Sequence, residues 1–156
     1  MNNQQSHHTR SALSRARFFL DRASAMPIEK QNDFEAFLEA SIVFARAALH
    51  RFKTKHEKHL KWKQWWDSLL TELSVVFFRD ERNFILKEGP PEVGQKIFMP
   101  FIGPSGTTNP ASRPAKAADL YFFDDPQVAA TDIVRRHLDA FERLLTDAEL
   151  QFSNAP

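Results

Sequence analysis

The stretch from Trp62 to Glu88, WKQWWDSLLTELSVVFFRDERNFILKE, limits what this chain can become more than any other. Its apolar residues Trp62, Trp65, Trp66, Leu69, Leu70, Leu73, Val76, Phe77 and Phe84 recur at steps of three and four. That spacing keeps them on one side of a helix and predicts a single long helix over the whole stretch. A helix with so broad an apolar side has to be covered by other helices. Near its end the polarity changes to Arg79-Asp80-Glu81-Arg82-Asn83, and Gly89-Pro90-Pro91 stops it. An arginine-rich turn at the end of a buried helix needs a reason, and it is the strongest functional pointer in the chain.

The partners of this helix are legible on either side of it. Leu13, Ala16, Leu20 and Ala23, widened by Phe18 and Phe19, predict a first helix over Ser11 to Ala25. Pro27 interrupts the chain, and a second helix is predicted from Glu29 to His59. Phe34, Phe37, Leu38, Ser41, Ile42, Ala45, Ala48, Leu49 and Phe52 form its main stripe. Ala36, Ala40, Val43, Phe44 and Ala47 give it a second apolar or small side, suited to the core or to a dimer interface. A short turn at His59–Lys61 makes the second and third helices antiparallel neighbours. The last helix is expected to open at Asp125-Pro126, a favoured cap followed by a favoured first residue. Val134, His137, Leu138, Phe141, Leu144, Leu145, Ala148 and Phe152 line it.

Between these helices the composition shifts. All four glycines fall within Gly89–Gly106 and six of the nine prolines within Pro90–Pro114, so residues 89–125 read as an insertion. Residues 96–102 and 119–123 read as the arms of a hairpin around a long loop at 103–118. The fold class is therefore mainly α, a four-to-five-helix up-down bundle with a small β-hairpin insertion between the last two helices. Residues 1–9 are expected to be a disordered tail, and 10–152 a single domain.

Composition narrows the chemistry. A chain of 156 residues can bury one core, and its 15 phenylalanines favour a packed aromatic one. The absence of cysteine excludes disulfides, thiolate metal sites and cysteine nucleophiles. A net charge of +1 gives no global attraction to nucleic acid, so any such surface has to be local. No apolar run reaches the roughly 20 residues of a membrane span. The polar start MNNQQSHHTR does not look like a signal peptide, and a cytoplasmic protein is expected. His7-His8 and the His56, His59 pair lack the further ligands a metal site needs, and GPSGTT lacks the lysine of a phosphate loop. No metal and no cofactor is expected.

Two regions carry candidate function. The end of the second helix is basic: Arg51, Lys53, Lys55, Lys58, Lys61 and Lys63, with His50, His56 and His59 among them. Cations beside tryptophans would suit RNA phosphates and bases, but these tryptophans fit the apolar stripe of the next helix and are not free for bases. Cations at a helix C-terminus also complement its dipole, by about 0.3–1 kcal/mol each. In the other region, Arg79, Arg82 and Asn83 share a side of the third helix. Asp80 falls on the apolar stripe and needs a partner, from Arg10, Arg15, Arg17 or Arg79.

Arg82-Asn83-Phe84-Ile85-Leu86-Lys87 resembles the motif of the HEPN superfamily of small helical bundles, an arginine and a polar residue followed by a histidine at the end of a long core helix. The arginine, the asparagine and the spacing match, and Lys87 stands where those proteins carry histidine. The resemblance implies a homodimer whose two motifs face each other. It implies RNA or a protein partner, such as a cognate antitoxin, in a toxin–antitoxin or defence setting. In many members it also implies metal-independent RNA cleavage. There the arginine holds a phosphate and the histidine moves a proton. A lysine titrating near 10.4 is poorly matched to that second task at neutral pH. The departure at Lys87 thus points to a non-catalytic or degenerate domain that binds RNA or a protein partner. The alternative is a ribonuclease using Arg82, Asn83 and Lys87 or His137. Arg79, Arg51, Lys53 and Lys55 are the expected RNA-binding residues.

Overall fold

The computed structural model describes residues 3–94 and 119–153, with side chains from residue 8 onward. In chain order come α1 (Asn3–Ser24), α2 (Gln31–His56), α3 (Trp62–Leu69), α4 (Leu73–Lys87), β1 (Val93–Gly94), β2 (Tyr121–Phe122), β3 (Asp125–Ala129) and α5 (Ala130–Ser153). The chain is mainly helical with a small antiparallel sheet ahead of the last helix, as the pattern of apolar residues predicts. The first helix starts at Asn3 rather than Ser11, so it includes much of the segment expected to be a disordered tail. The predicted strand at 96–102 and loop at 103–118 lie outside the described residues.

The second helix is the hub, packing against α1, α4 and α5. Phe34, Leu38, Ile42, Ala45, Leu49 and Phe52 face inward from it at helical spacing and are buried. Ala12, Ala16 and Ala23 of α1 are also fully buried, and such small side chains let two helices lie close. Full burial of a large apolar side chain such as Phe34 or Phe141 contributes about 1.5–3 kcal/mol. The second apolar side of α2 is partly covered within the chain. Phe44 stacks on Phe19 of α1 at 5.5 Å, and the Arg15 guanidinium sits 5.6 Å from the Phe44 ring centroid.

The predicted helix over Trp62–Glu88 is two helices, broken at Leu70–Glu72, where Glu72 takes an extended backbone. The reason is one of phase. Leu69 and Phe78 are both buried, yet nine residues of straight helix at about 100° each would set them about 180° apart. The break lets α3 turn Trp62 and Leu69 inward while α4 turns Val75, Phe78 and Ile85 inward. Leu70 and Leu73, expected on the buried stripe, are exposed, Leu73 at 78%. The same break keeps Asp80 out of the core. It is exposed and bound to Arg79, with Arg79 Nε donating to Asp80 Oδ1 at 2.7 Å.

Past Lys87 the chain leaves the helix through Gly89, whose φ of +131° is costly for any residue with a Cβ. The sheet follows, in the order β1-β2-β3. Asp125-Pro126 is not the start of the last helix. It belongs to β3, which pairs with β2 through Tyr121↔Ala129 and Phe122↔Asp125 across an irregular register. Pairing with β2 outweighs the local capping preference. The sheet also meets the helices: Phe122 is buried and makes an edge contact with Phe77 at 6.3 Å. The Ala130 N–H then donates to the Leu120 carbonyl at 2.8 Å, which fixes where α5 begins.

Candidate nucleic-acid interface

Once α4 is re-phased by the break, Arg82 joins the inward row Val75, Phe78 and Ile85 and is partly buried. Its side of α4 meets α2, where Arg46, His50 and Lys53 form a row at i, i+4 and i+7. The two rows form a cationic seam. Burial, then Arg82, then Arg79 push the Arg46 guanidinium below its ordinary range. Partial burial, then Arg46, Arg82 and Lys53, hold His50 below the usual histidine value. Neither Arg46 nor Arg82 has a carboxylate partner among the described residues. Arg82 Nη1 donates only to Asn83 Oδ1, at 3.3 Å. Arg79 flanks the seam, with its charge partly offset by Asp80. Lys53 reaches over Trp66, its Nζ 5.4 Å from the ring centroid, so an aromatic surface borders the cations.

The adjoining side of α4 has the opposite sign. Glu81, Phe84, Glu92, Phe122, Phe123 and Asp124 line a recess of about 190 Å³. Burial, then Asp124 and Asp80, raise the Glu81 carboxyl above its ordinary value. The helix therefore turns Arg82 toward α2 and Glu81 toward the sheet, so of these two sides the α2 side is the one that suits an anion.

The candidate residues part company here. Arg79, Arg82 and Lys53 lie at the seam. Asn83 is the side-chain neighbour of Arg82. Lys87 is exposed, about 140° around the helix from Arg82, and makes no hydrogen bond or ion pair among the described residues. Arg51 turns to α1, its Nη1 donating to the His8 carbonyl at 2.9 Å. Lys55 pairs with Glu149 of α5 and is nearly buried. Glu149 also meets His56 Nε2 at 2.9 Å, while the His56 ring lies between Phe52 and Phe152 at 4.5 and 5.0 Å. His137 is held at the α4–α5 contact. Its Nδ1 shares a 3.0 Å hydrogen bond with Ser74 Oγ, and its ring stacks on Phe77 at 4.2 Å. The sequence reading missed Arg46 altogether. Its signal was the spacing Arg46, His50, Lys53, masked because basic residues crowd the same helix end on every side.

Three histidines with lowered pKa make stability depend on pH. Burial lowers His56, against the opposing pull of Glu149, and burial followed by Arg136 lowers His137. His50 is lowered as well. A lowered histidine binds its proton more weakly in the folded chain than in the unfolded one. Stability is therefore complete above about pH 6.5 and falls on acidification until the folded-state pKa is passed. Glu81, being raised, acts with the opposite sign in the carboxylate range. The urea midpoint is expected to be lower at about pH 5.5 than at about pH 7.5, and His137→Gln should shrink that difference. An equal midpoint at both values would contradict the lowered affinity of these rings for protons in the folded chain.

Among the described residues no group of three or more histidine or acidic side chains is arranged to hold a metal ion. None of the described helices is long and apolar enough to cross a membrane. Comparison with family models, with curated proteins and with solved structures finds no match to this chain.

Proposed function

We propose that this chain is a HEPN-like helical domain that binds RNA through the α2–α4 seam without cleaving it. One observation carries the reading: Arg46 of α2 and Arg82 of α4 lie partly buried on the packed α2–α4 side, close enough for Arg82 to depress the Arg46 guanidinium, and neither has a carboxylate partner among the described residues. Two guanidinium groups so placed repel each other in the free protein, and a phosphodiester between them turns that cost into binding energy. Arg79 and Lys53 extend the cationic track, and the partly exposed Trp66, stacked on Trp62 and covered by Lys53, borders it with its ring edge. Single-stranded RNA suits this combination better than a duplex, whose bases are already stacked.

The binding reading is favoured over the ribonuclease one by the positions of the proton-transfer candidates. Lys87 points well away from Arg82, and His137 is engaged with Ser74 and Phe77. Homodimerisation and a toxin–antitoxin or defence setting follow from the same resemblance and belong to the proposal. The deciding experiment is titration of labelled single-stranded RNA in EDTA, with electrophoresis of the RNA afterwards. Retained, intact RNA whose binding is lost in Arg82→Ala supports the reading. Cleavage that disappears in Arg82→Ala would replace it with the ribonuclease. Absence of both binding and cleavage would remove RNA.

A further inference from the structure

His50 stands in the middle of the α2 row, one turn after Arg46 and three residues before Lys53. The charged groups acting on it are Arg46 and Lys53 from its own helix and Arg82 from α4, and all are cations. No described side chain accepts a hydrogen bond from it. A histidine serving the fold would have a partner, as His56 has Glu149 and His137 has Ser74. His50 instead has an exposed imidazole surrounded by positive charge.

Building on the RNA-binding reading, we propose that His50 is a phosphate ligand of the seam, engaged as the imidazolium, so that RNA binding takes up a proton from solvent. In the free protein partial desolvation and three neighbouring cations disfavour the imidazolium. Neutral imidazole presents one N–H and one lone pair, and the lone pair repels a phosphate oxygen. A bound phosphodiester reverses the balance. Its negative charge offsets Arg46 and Arg82 and accepts a hydrogen bond from the protonated ring. The proton moves from solvent to the free ring nitrogen, no covalent bond changes, and the complex gains one positive charge. Affinity must then rise as pH falls. Each unit by which bound RNA raises the His50 pKa is worth about tenfold in affinity between the two limits of pH.

The test is fluorescence anisotropy of a labelled single-stranded RNA oligonucleotide at fixed ionic strength, from about pH 8 to about pH 6. Wild-type protein should bind about tenfold more tightly at the acidic end. His50→Gln should bind weakly with little dependence on pH. His50→Arg should bind tightly throughout, since it supplies a cation without titration. Circular dichroism at each pH confirms that the variants are folded. A pH-independent wild type, or a His50→Gln variant with the wild-type slope, overturns the proposal. Should wild type bind no RNA, NMR titration of the His50 ring with inorganic phosphate separates the two ideas. A midpoint raised by phosphate keeps the proton-linked anion site and removes RNA, whereas an unmoved midpoint removes both.

Discussion

Arg82→Ala is expected to weaken binding of single-stranded RNA by about tenfold to a hundredfold, the usual loss for one charge-assisted hydrogen-bonding group worth about 1.5–3 kcal/mol. The salt dependence should change with it. Losing one phosphate contact lowers the slope of log K against log salt by about 0.7 on single strands. The fold should survive, because the Arg82 side chain is tied only to its neighbour Asn83. Removing it also relieves its pressure on Arg46, so the melting temperature should hold or rise. Lost affinity with preserved stability identifies a residue kept for its ligand. The opposite result, strong destabilisation with unchanged RNA affinity, would make Arg82 a packing residue and leave the seam without a function. Lys55→Ala serves as the contrast. Lys55 is paired with Glu149, so its loss should reduce stability more than it reduces RNA affinity.

Phe78→Ala should cost about 3–5 kcal/mol, since it opens a cavity at a fully buried position between α4 and α5. Phe78 contacts Phe77 at 5.2 Å and Phe141 at 5.4 Å, so the truncation removes aromatic packing on two sides. For a chain of this size the loss corresponds to a fall in melting temperature of about 6–20 °C. Leu73→Ala, at a position 78% exposed, should change stability by no more than about 0.5 kcal/mol. The two variants together test the break between α3 and α4. A continuous helix carrying the stripe read from the sequence would make Leu73 the costly residue. A thermal melt in which Leu73→Ala falls further than Phe78→Ala would rule out the broken geometry. Because Arg82 shares its row with Phe78, that result would also turn Arg82 away from α2.

The helices of the bundle were legible because their apolar residues repeat at helical spacing. Phe34, Leu38, Ile42, Leu49 and Phe52 on α2, and Val134, Leu138, Phe141, Leu145 and Phe152 on α5, are read in sequence and buried in the fold. Local patterning failed where two demands met within one turn. Leu69-Leu70-Thr71-Glu72-Leu73 continues a helical period perfectly well, and only the positions of the partner helices reveal that Leu69 and Phe78 must both turn inward. The one local warning was Asp80, a carboxylate on what looked like a buried stripe. Asp125-Pro126 misled in a similar way, since a good helix start was outweighed by pairing with β2. At the candidate site, Arg79, Arg82 and Lys53 were visible as charges. Arg46 was not, because what sets it apart from Arg51 is the neighbour it faces: one looks to α4 and the other to α1.

The interruption at Leu70–Glu72 has a consequence for how this chain tolerates changes in length. An extra residue inside an unbroken helix would rotate everything downstream by about 100° and swing the arginines away from their counterparts. An extra residue placed at the bend lengthens a connector whose ends are already held by separate anchors, Trp62 and Leu69 upstream and Phe78 downstream. The joint thus acts as a spacer that isolates the orientation of Arg82 from the aromatic layer before it. Each half of the old stripe is free to drift in sequence without dragging the other.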